Sequence, residues 1–458
     1  MKKIELRKKI QKICFLMLVM TAFISTTVSV KAEVDTSATF SVDSDYWDYW
    51  PSSVEISGKT ACLMDADTGT ILYSKGLDAQ RFPASITKVM TALVVVENCN
   101  LDDQVTMTET GMADAYAGSS NSNPTLGEVF TVEDCLKMLL IKSANDIASQ
   151  LAEHTAGSVA AFAQMMNEKA ASLGCTNTNF TNASGLEDEN HYTSARDMAL
   201  IMQAAIQNET IRNIMAMGEC EIPATNCSQA RYYSSHVLLM QEDSSFYYEG
   251  CLGGKTGYTD ISQSTLVCYA QRNGMTLIGV VMGAPETESN ASDMITLFNY
   301  GFDNFYHVNA VSEQPCLSGG IVTLPYGLDS SVLTLSTEDN TDGNKNITFY
   351  IGDHRIGSCV MDQASYTQLQ IARGEISQEE AQSSSEATAE STQQEAENQV
   401  TQGSSQTETT TSGEVEKKSG GSVVLYLIIV ILIAAIAAVV FFLLQDLKRQ
   451  KRKKRNRK

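Results

Sequence analysis

The order of strand-like and helix-like patterns along the chain predicts an α+β protein built on an antiparallel sheet. Three observations carry this: an apolar hairpin beginning at Thr60, a long helical middle, and a second apolar hairpin beginning at Thr265. Strands followed by helices and then by returning strands favour one sheet with a helical lobe over alternating strand and helix units.

The elements follow in order. Thr60–Met64 and Thr70–Ser74 are apolar runs flanking Asp65-Ala66-Asp67-Thr68-Gly69, a turn-rich segment, and read as a hairpin. Behind Pro83, a helix is expected from Ser85, with Ile86, Val89, Met90 and Leu93 at helical spacing. Thr131 with Asp134 forms a capping box for a helix through Ile141. The pattern breaks at Ser143–Asn145 and resumes from Asp146 to His154. Ser158–Leu173 is a helix closed by Gly174, and Ser194 with Asp197 caps another that runs to about Ile206. Thr265–Tyr269 and Thr276–Met282 flank Asn273-Gly274, a pair suited to a tight hairpin turn. From about 310 to 372, short apolar runs alternate with Gly, Asp and Asn, which predicts a small β module.

With 458 residues, 43% apolar and 19% charged, the chain is long enough for two or three domains and is not a disordered polyampholyte. Its net charge of -21 argues against nucleic-acid binding, but the charge is uneven. Residues 1–32 carry +6 and residues 445–458 carry +8, so the stretch between them carries -35. The first 32 residues have a basic start, a short interrupted apolar run and Val30-Lys31-Ala32, the pattern of a secretory signal peptide. Val423–Leu444 is 22 residues without a charge, about 33 Å as a helix, and predicts a transmembrane span over 422–444. The basic tail 445–458 is then expected in the cytoplasm. Residues 374–421 are rich in Ser, Thr, Gln, Glu and Gly and read as a disordered linker. The expected arrangement is a folded region over 33–373, divided near 308 into a main domain and the small β domain 309–373. It stands outside the cell on a single-pass membrane anchor.

Ten cysteines remain after the signal peptide, an even number that permits disulfides or free thiols alike; Cys220 and Cys227 are the nearest candidates for a pair. There is no C-x-x-C, and the five histidines are dispersed, so no zinc site and no cofactor is expected.

Three short motifs carry chemistry. Ser85-Ile86-Thr87-Lys88 is the only S-x-x-K in the chain, and residues i and i+3 share one helix face, so the Lys88 amine can reach the Ser85 hydroxyl. Nucleophile and base follow if burial or a second cation lowers the lysine pKa. Ser143-Ala144-Asn145 is an S-x-N at the helix break, where a hydroxyl and an amide can enter a cleft. A competing S-x-N, Ser119-Ser120-Asn121, sits in a polar loop without helical context and is set aside. Lys255-Thr256-Gly257 follows two glycines and precedes Tyr258; the glycine allows close approach, and Lys255 with Thr256 can hold a carboxylate. Each motif alone is weak. Their order, with first residues 58 and then 112 positions apart, is a specific combination.

That combination resembles the penicillin-binding proteins and class A β-lactamases. Arg81–Leu93, Ser143–Ala148, Phe180–Leu186 and Gly253–Thr259 are similar to the low-molecular-mass penicillin-binding proteins that are serine D-alanyl-D-alanine carboxypeptidases. The resemblance covers about 55–304. It implies the penicillin-binding/β-lactamase-like transpeptidase fold, an antiparallel sheet with a helical subdomain, and a bacterial cell. It also implies removal of the terminal D-Ala from peptidoglycan stem pentapeptides and acylation by β-lactam antibiotics. By the resemblance, Ser85 is the acylated nucleophile, Lys88 its base and Ser143 a proton relay. Asn145 binds the substrate backbone, and Lys255 and Thr256 receive the terminal carboxylate. The backbone N–H groups of Ser85 and of Tyr258, after Gly257, form the oxyanion hole. The chain departs from the family at Asp260-Ile261-Ser262-Gln263, where Ala-Gly is common. A DD-endopeptidase, a β-lactamase and a catalytically idle wall-binding protein remain as alternatives. The β-lactamase lacks support from an E-x-x-L-N segment, and a Ser-His-Asp hydrolase lacks a G-x-S-x-G elbow.

Overall fold

The structure, a computed structural model, describes residues 34–311 and 316–380. The expected signal peptide, transmembrane span and basic tail, and most of the expected linker, lie outside these residues. Among the described residues no helix is long and apolar enough to cross a membrane.

The first hairpin is β1 (Thr60–Asp65) and β2 (Ile71–Lys75), and the second is β8 (Gln263–Arg272) and β9 (Met275–Ala284). Asn273 and Gly274 both take positive φ, 51° and 83°, the conformation that joins two strands through a two-residue turn. With β7 (Cys251–Thr259) these strands form an antiparallel sheet in the order β2-β1-β9-β8-β7, while the short strands β3 (Gln104–Thr106) and β4 (Val129–Thr131) pair with each other, as do β5 (Glu219–Ile222) and β6 (Arg231–Ser234). β7 is therefore an edge. Alternate residues point to opposite faces, and both faces are covered. Cys62, Met64, Val267, Ile278 and Val280 pack against the helical lobe. Ala61, Leu63, Leu266, Cys268, Leu277 and Val281 pack on the other side with Met294, Leu297 and Phe298 of the long helix Thr287–Asn304. Double coverage explains why the strands read as nearly unbroken apolar runs.

The helical lobe is built around α1 (Lys88–Asn98), buried on all sides from Lys88 to Val95. The caps expected at Thr131 and Ser194 are present, accepting from Asp134 N–H and Asp197 N–H, and the structure adds a cap at Ser158, which accepts from Ala161 N–H. They open α2 (Val132–Lys137), α4 (Val159–Ser172) and α5 (Ala195–Ala205), with α3 (Asn145–Ala156) between the first two. Two boundaries differ from the sequence expectation. The helix expected from Ser85 becomes regular only at Lys88, because Ala84 takes φ 50° and Ala84–Thr87 forms a tighter 3-10 turn. The helix expected through Ile141 stays α-helical only to Lys137; Met138–Lys142 widens to a π-helical stretch that ends at Ser143, φ 64°.

A second antiparallel sheet occupies Phe305–Met361, in the order β10 (Phe305–Asn309), β11 (Ser318–Pro325), β14 (His354–Met361), β13 (Lys345–Ile351), β12 (Thr334–Asp339). It encloses its own apolar cluster, with Val322, Leu324, Ile347, Phe349, Ile356 and Met361 fully buried or nearly so. Polar clasps join the two sheets. Asp65 Oδ2 takes the His307 Nε2 contact at 2.6 Å and accepts from Thr323 Oγ1 at 2.8 Å, while its Oδ1 accepts from the N–H groups of Asp67 and Thr68. Asp65, Asp67 and His307 lie close enough to suggest a metal cluster, but the carboxylate oxygens of Asp65 are already engaged by protein donors. His354 also stacks on Trp47 and contacts the Ile71 carbonyl through Nε2 at 2.8 Å.

All ten cysteines among the described residues are free thiols, so Cys220 and Cys227 are not joined. Cys220 lies on the strand Glu219–Ile222 and turns into the helical core, whereas Cys227 is exposed in the following turn.

Candidate active site

The turn that carries Ser85 is fixed from two sides. The Pro83 carbonyl accepts from Thr265 Oγ1 of β8 at 2.8 Å, anchoring the turn to the sheet. On the other side the segment Phe180–Leu186 lies against it: Thr91 Oγ1 donates to the Ala183 carbonyl, and a Cβ on Gly185 (φ 84°) would stand 1.9 Å from the Ala84 carbonyl oxygen. Only glycine permits that approach. His191 supports the same segment. Its Nδ1 accepts from Thr181 N–H, which leaves Nε2 to donate to Thr87 Oγ1 at 2.8 Å. Burial pushes this imidazole down to about 4, so it is neutral at physiological pH.

In a 3-10 turn residues i and i+3 eclipse, which sets Ser85 and Lys88 side by side. Lys88 Nζ is fully buried and donates to Ser85 Oγ at 2.8 Å, to Asn145 Oδ1 at 2.7 Å and to the Ser184 carbonyl at 2.6 Å. Burial first, and then the positive charge of Lys255, hold its pKa well below 10.5, against the opposing pull of Asp146 and Asp114. A neutral amine has two hydrogens and one lone pair. Asn145 Oδ1 and the Ser184 carbonyl can only accept, so they take the two hydrogens. The lone pair then faces the one partner that can donate, the Ser85 hydroxyl.

Ser143 and Asn145 flank the cleft where the π-helical stretch gives way to α3. Asn145 has its orientation fixed: Nδ2 donates to Ser119 Oγ at 3.0 Å and its backbone N–H to the Ser120 carbonyl at 2.7 Å. Ser143 is nearly buried, and its hydroxyl makes no hydrogen bond to Ser85 or Lys88. The opposite wall is the edge strand β7. A Cβ on Gly257 would stand 2.7 Å from the Ser85 nitrogen and 2.5 Å from Thr265 Oγ1, so this residue must be glycine for the strand to run beside the turn. Lys255 is 2% exposed and donates to the Thr256 carbonyl at 2.8 Å; burial lowers its pKa to about 7. Thr256 is half-buried. Tyr258 is exposed, and its hydroxyl donates to Asp260 Oδ1.

Ser85, Lys88 and Asn145 are therefore in direct contact, with Gly257 against Ser85 and Ser143, Lys255, Thr256 and Tyr258 on the surrounding walls. Sequence reasoning misses the loop carrying Ser119–Ser122, where the competing S-x-N lies. Besides holding Asn145, this loop places Ser122, whose N–H and hydroxyl bond the buried Asp146 carboxylate. It misses the Ser184 carbonyl as well, although Ser184 sits within the Phe180–Leu186 stretch.

A family model described as D-alanyl-D-alanine carboxypeptidase (peptidase S11) matches residues 48–286, just over half of the chain. The chain is 30% identical over 309 residues to the D-alanyl-D-alanine carboxypeptidase DacF of Bacillus subtilis, a match covering 65% of this chain and 77% of that protein. It is 33% identical over 290 residues to DacA of Haemophilus influenzae, covering 62% and 70%. Among solved structures, the Streptomyces K15 DD-transpeptidase matches with a TM-score of 0.52 at 29% identity, over 55% of this chain and all of that one. The D-alanyl-D-alanine carboxypeptidase of Mycobacterium tuberculosis matches at 0.51 and 30%, over 56% and 95%. The chain belongs to the D-alanyl-D-alanine carboxypeptidase family of serine peptidases.

Proposed function

We propose that this protein removes the terminal D-Ala from peptidoglycan stem pentapeptides through an acyl-enzyme on Ser85, and that β-lactams acylate the same oxygen. The observation that carries the reading is the pairing of Ser85 with a buried Lys88 whose other two partners can only accept. Lys88 takes the Ser85 proton as Oγ attacks the carbonyl carbon of the penultimate D-Ala. The oxyanion is received by the backbone N–H groups of Ser85 and Tyr258, a role supported by the close approach of Gly257 to the Ser85 nitrogen. Such donors contribute about 3 kcal/mol each to the transition state. The C–N bond breaks, and the leaving amine takes a proton from Lys88 by way of Ser143. Asn145 aligns the substrate backbone, and Lys255 with Thr256 receives the terminal carboxylate. Water then attacks the ester and frees Ser85.

The membrane arrangement belongs to the same reading. The uncharged run Val423–Leu444 and the basic residues after it support a single-pass anchor, and the basic, then apolar start supports export. The catalytic region then works outside the cell, and the separate apolar cluster of the second sheet supports its treatment as a small β domain.

The test is to incubate the protein and Ser85→Ala with a peptide ending in D-Ala-D-Ala and with penicillin. D-Ala release and a covalent penicillin adduct are expected in the native protein and neither in the variant. A native protein that gives neither product contradicts the reading.

A further inference from the structure

The hairpin of β5 and β6 has no part in the chemistry above, yet it braces the loop that holds Asn145. Successive residues of β6 face opposite ways. Tyr232 is 72% exposed, whereas Arg231 and Tyr233 both turn onto the loop. Tyr233 Oη donates to the Ser122 carbonyl at 3.0 Å across 111 positions of sequence. Burial pushes this phenol up to about 12, so it remains a donor across the neutral pH range. Arg231 Nη2 donates to the Asn123 carbonyl at 3.4 Å and to Glu128 Oε2 at 2.9 Å.

Glu128 locks the hairpin to the loop a few residues further on. Its carboxylate is fully buried: Oε1 accepts from Thr225 Oγ1 and Ser228 Oγ at the hairpin tip, and Oε2 accepts from Arg231 and from Thr125 N–H. Burial opposes the charged form, but these donors outweigh it and hold the pKa down to about 2.

Ser122 joins this brace to the active site. Its carbonyl takes the Tyr233 hydroxyl, while its N–H and Oγ donate to the buried carboxylate of Asp146, the residue after Asn145. Three positions earlier, Ser119 Oγ accepts from Asn145 Nδ2, and the Ser120 carbonyl accepts from Asn145 N–H. Asn145 Oδ1 in turn takes a Lys88 hydrogen. From Tyr233 to Lys88, no hydrogen bond in this series exceeds 3.1 Å.

We propose that Tyr233 is a positioning residue for acylation: its hydroxyl fixes Ser122, and with it the loop that keeps Asn145 Oδ1 against Lys88 Nζ. This rests on the reading in which neutral Lys88 takes the Ser85 proton. With the loop held, the amide occupies one amine hydrogen and the lone pair faces Ser85. With the loop released, the amide turns and the lone pair loses its aim. The hairpin thus acts on the base without touching substrate.

The experiment is a double-mutant cycle on penicillin acylation, with Tyr233→Phe, Ser119→Ala and the two combined, each checked for folding by thermal melt. Tyr233→Phe removes one oxygen and keeps the ring. It should slow acylation about fivefold in the native background, the scale of one lost hydrogen bond, and less than about twofold where Ser119 is already alanine. Tyr232→Phe, at the exposed neighbour, should acylate at the native rate. A Tyr233→Phe protein with the native rate overturns the proposal. So does the same loss in both backgrounds, which would make the effect independent of the loop's hold on Asn145. Amide hydrogen exchange separates this claim from the parent reading. Tyr233→Phe should speed exchange of the Asn145 N–H, which the Ser120 carbonyl protects, and Tyr232→Phe should not. If the native protein takes up no penicillin and releases no D-Ala, the carboxypeptidase reading fails, and the positioning claim is decided by that exchange: unchanged protection of Asn145 overturns it.

Discussion

Lys88 Nζ and Asn145 Oδ1, 57 positions apart in sequence, meet at 2.7 Å inside the protein. The amide oxygen satisfies the lysine without supplying a negative charge, so the ammonium form gains a partner but no counter-ion. Replacement by aspartate would supply one. Asn145→Asp should raise the Lys88 pKa and move the pH dependence of penicillin acylation toward alkali by about one unit or more. Acylation rates across pH, beside a thermal melt to confirm folding, check this; an unchanged profile contradicts the assignment of the base.

Gly257 provides a geometric prediction. Its Cβ position overlaps the Ser85 nitrogen and the Thr265 hydroxyl, and Thr265 also anchors Pro83. Gly257→Ala should push β7 away from the nucleophile turn and slow acylation by about a hundredfold, the scale of losing one oxyanion donor. Gly274→Ala is the comparison, because a Cβ there meets no atom although its φ is positive. That variant should lose stability but acylate at the native rate when folded, which stopped-flow acylation and melting curves would show.

Ser119, set aside in the sequence as part of the competing S-x-N, proves to be a support of Asn145. Its hydroxyl accepts from Asn145 Nδ2 and so keeps Oδ1 aimed at Lys88. Ser119→Ala should lower kcat by about tenfold with a smaller change in melting temperature, while Ser119→Thr, which keeps the acceptor, should recover most of the activity. Equal losses in both variants would assign the effect to packing instead.

The clasp between the sheets predicts a pH-dependent stability. His307 has its pKa raised above 6.5: burial works against the charged form, but the Asp65 hydrogen bond and the charges of Asp65 and Asp67 outweigh it. A raised folded-state pKa gives stability that is fully present below 6.5 and is lost as pH rises through the folded value. The melting temperature should therefore decline as pH rises from about 6 toward about 8. His307→Gln should flatten this part of the profile, and a native slope in the variant would contradict the account.

Much of this was legible because it is written locally. The hairpin at Asn273-Gly274, the caps at Thr131 and Ser194, and the break at Ser143 each depend on a few neighbouring residues. The site motifs were legible for a related reason: S-x-x-K needs only one turn of chain to bring Ser85 and Lys88 together. What escaped depends on contacts across the fold. The Ser119–Ser122 loop has no periodicity of its own, and its place beside Asn145 and Asp146 is set by long-range packing. The left-handed Ala84 and the Ser184 carbonyl likewise acquire meaning only when Gly185 lies against the nucleophile turn.

The central claim is that a neutral Lys88 accepts the Ser85 proton, and the most direct measurement is the rate of penicillin acylation of Lys88→Arg, read by intact mass. Arginine keeps the positive charge and can donate to Asn145 and Ser184, but it cannot become a neutral base. The predicted result is a folded protein whose acylation is slower by about a thousandfold. Acylation at the native rate in that variant would show that charge, and not proton acceptance, is what Ser85 needs from its neighbour.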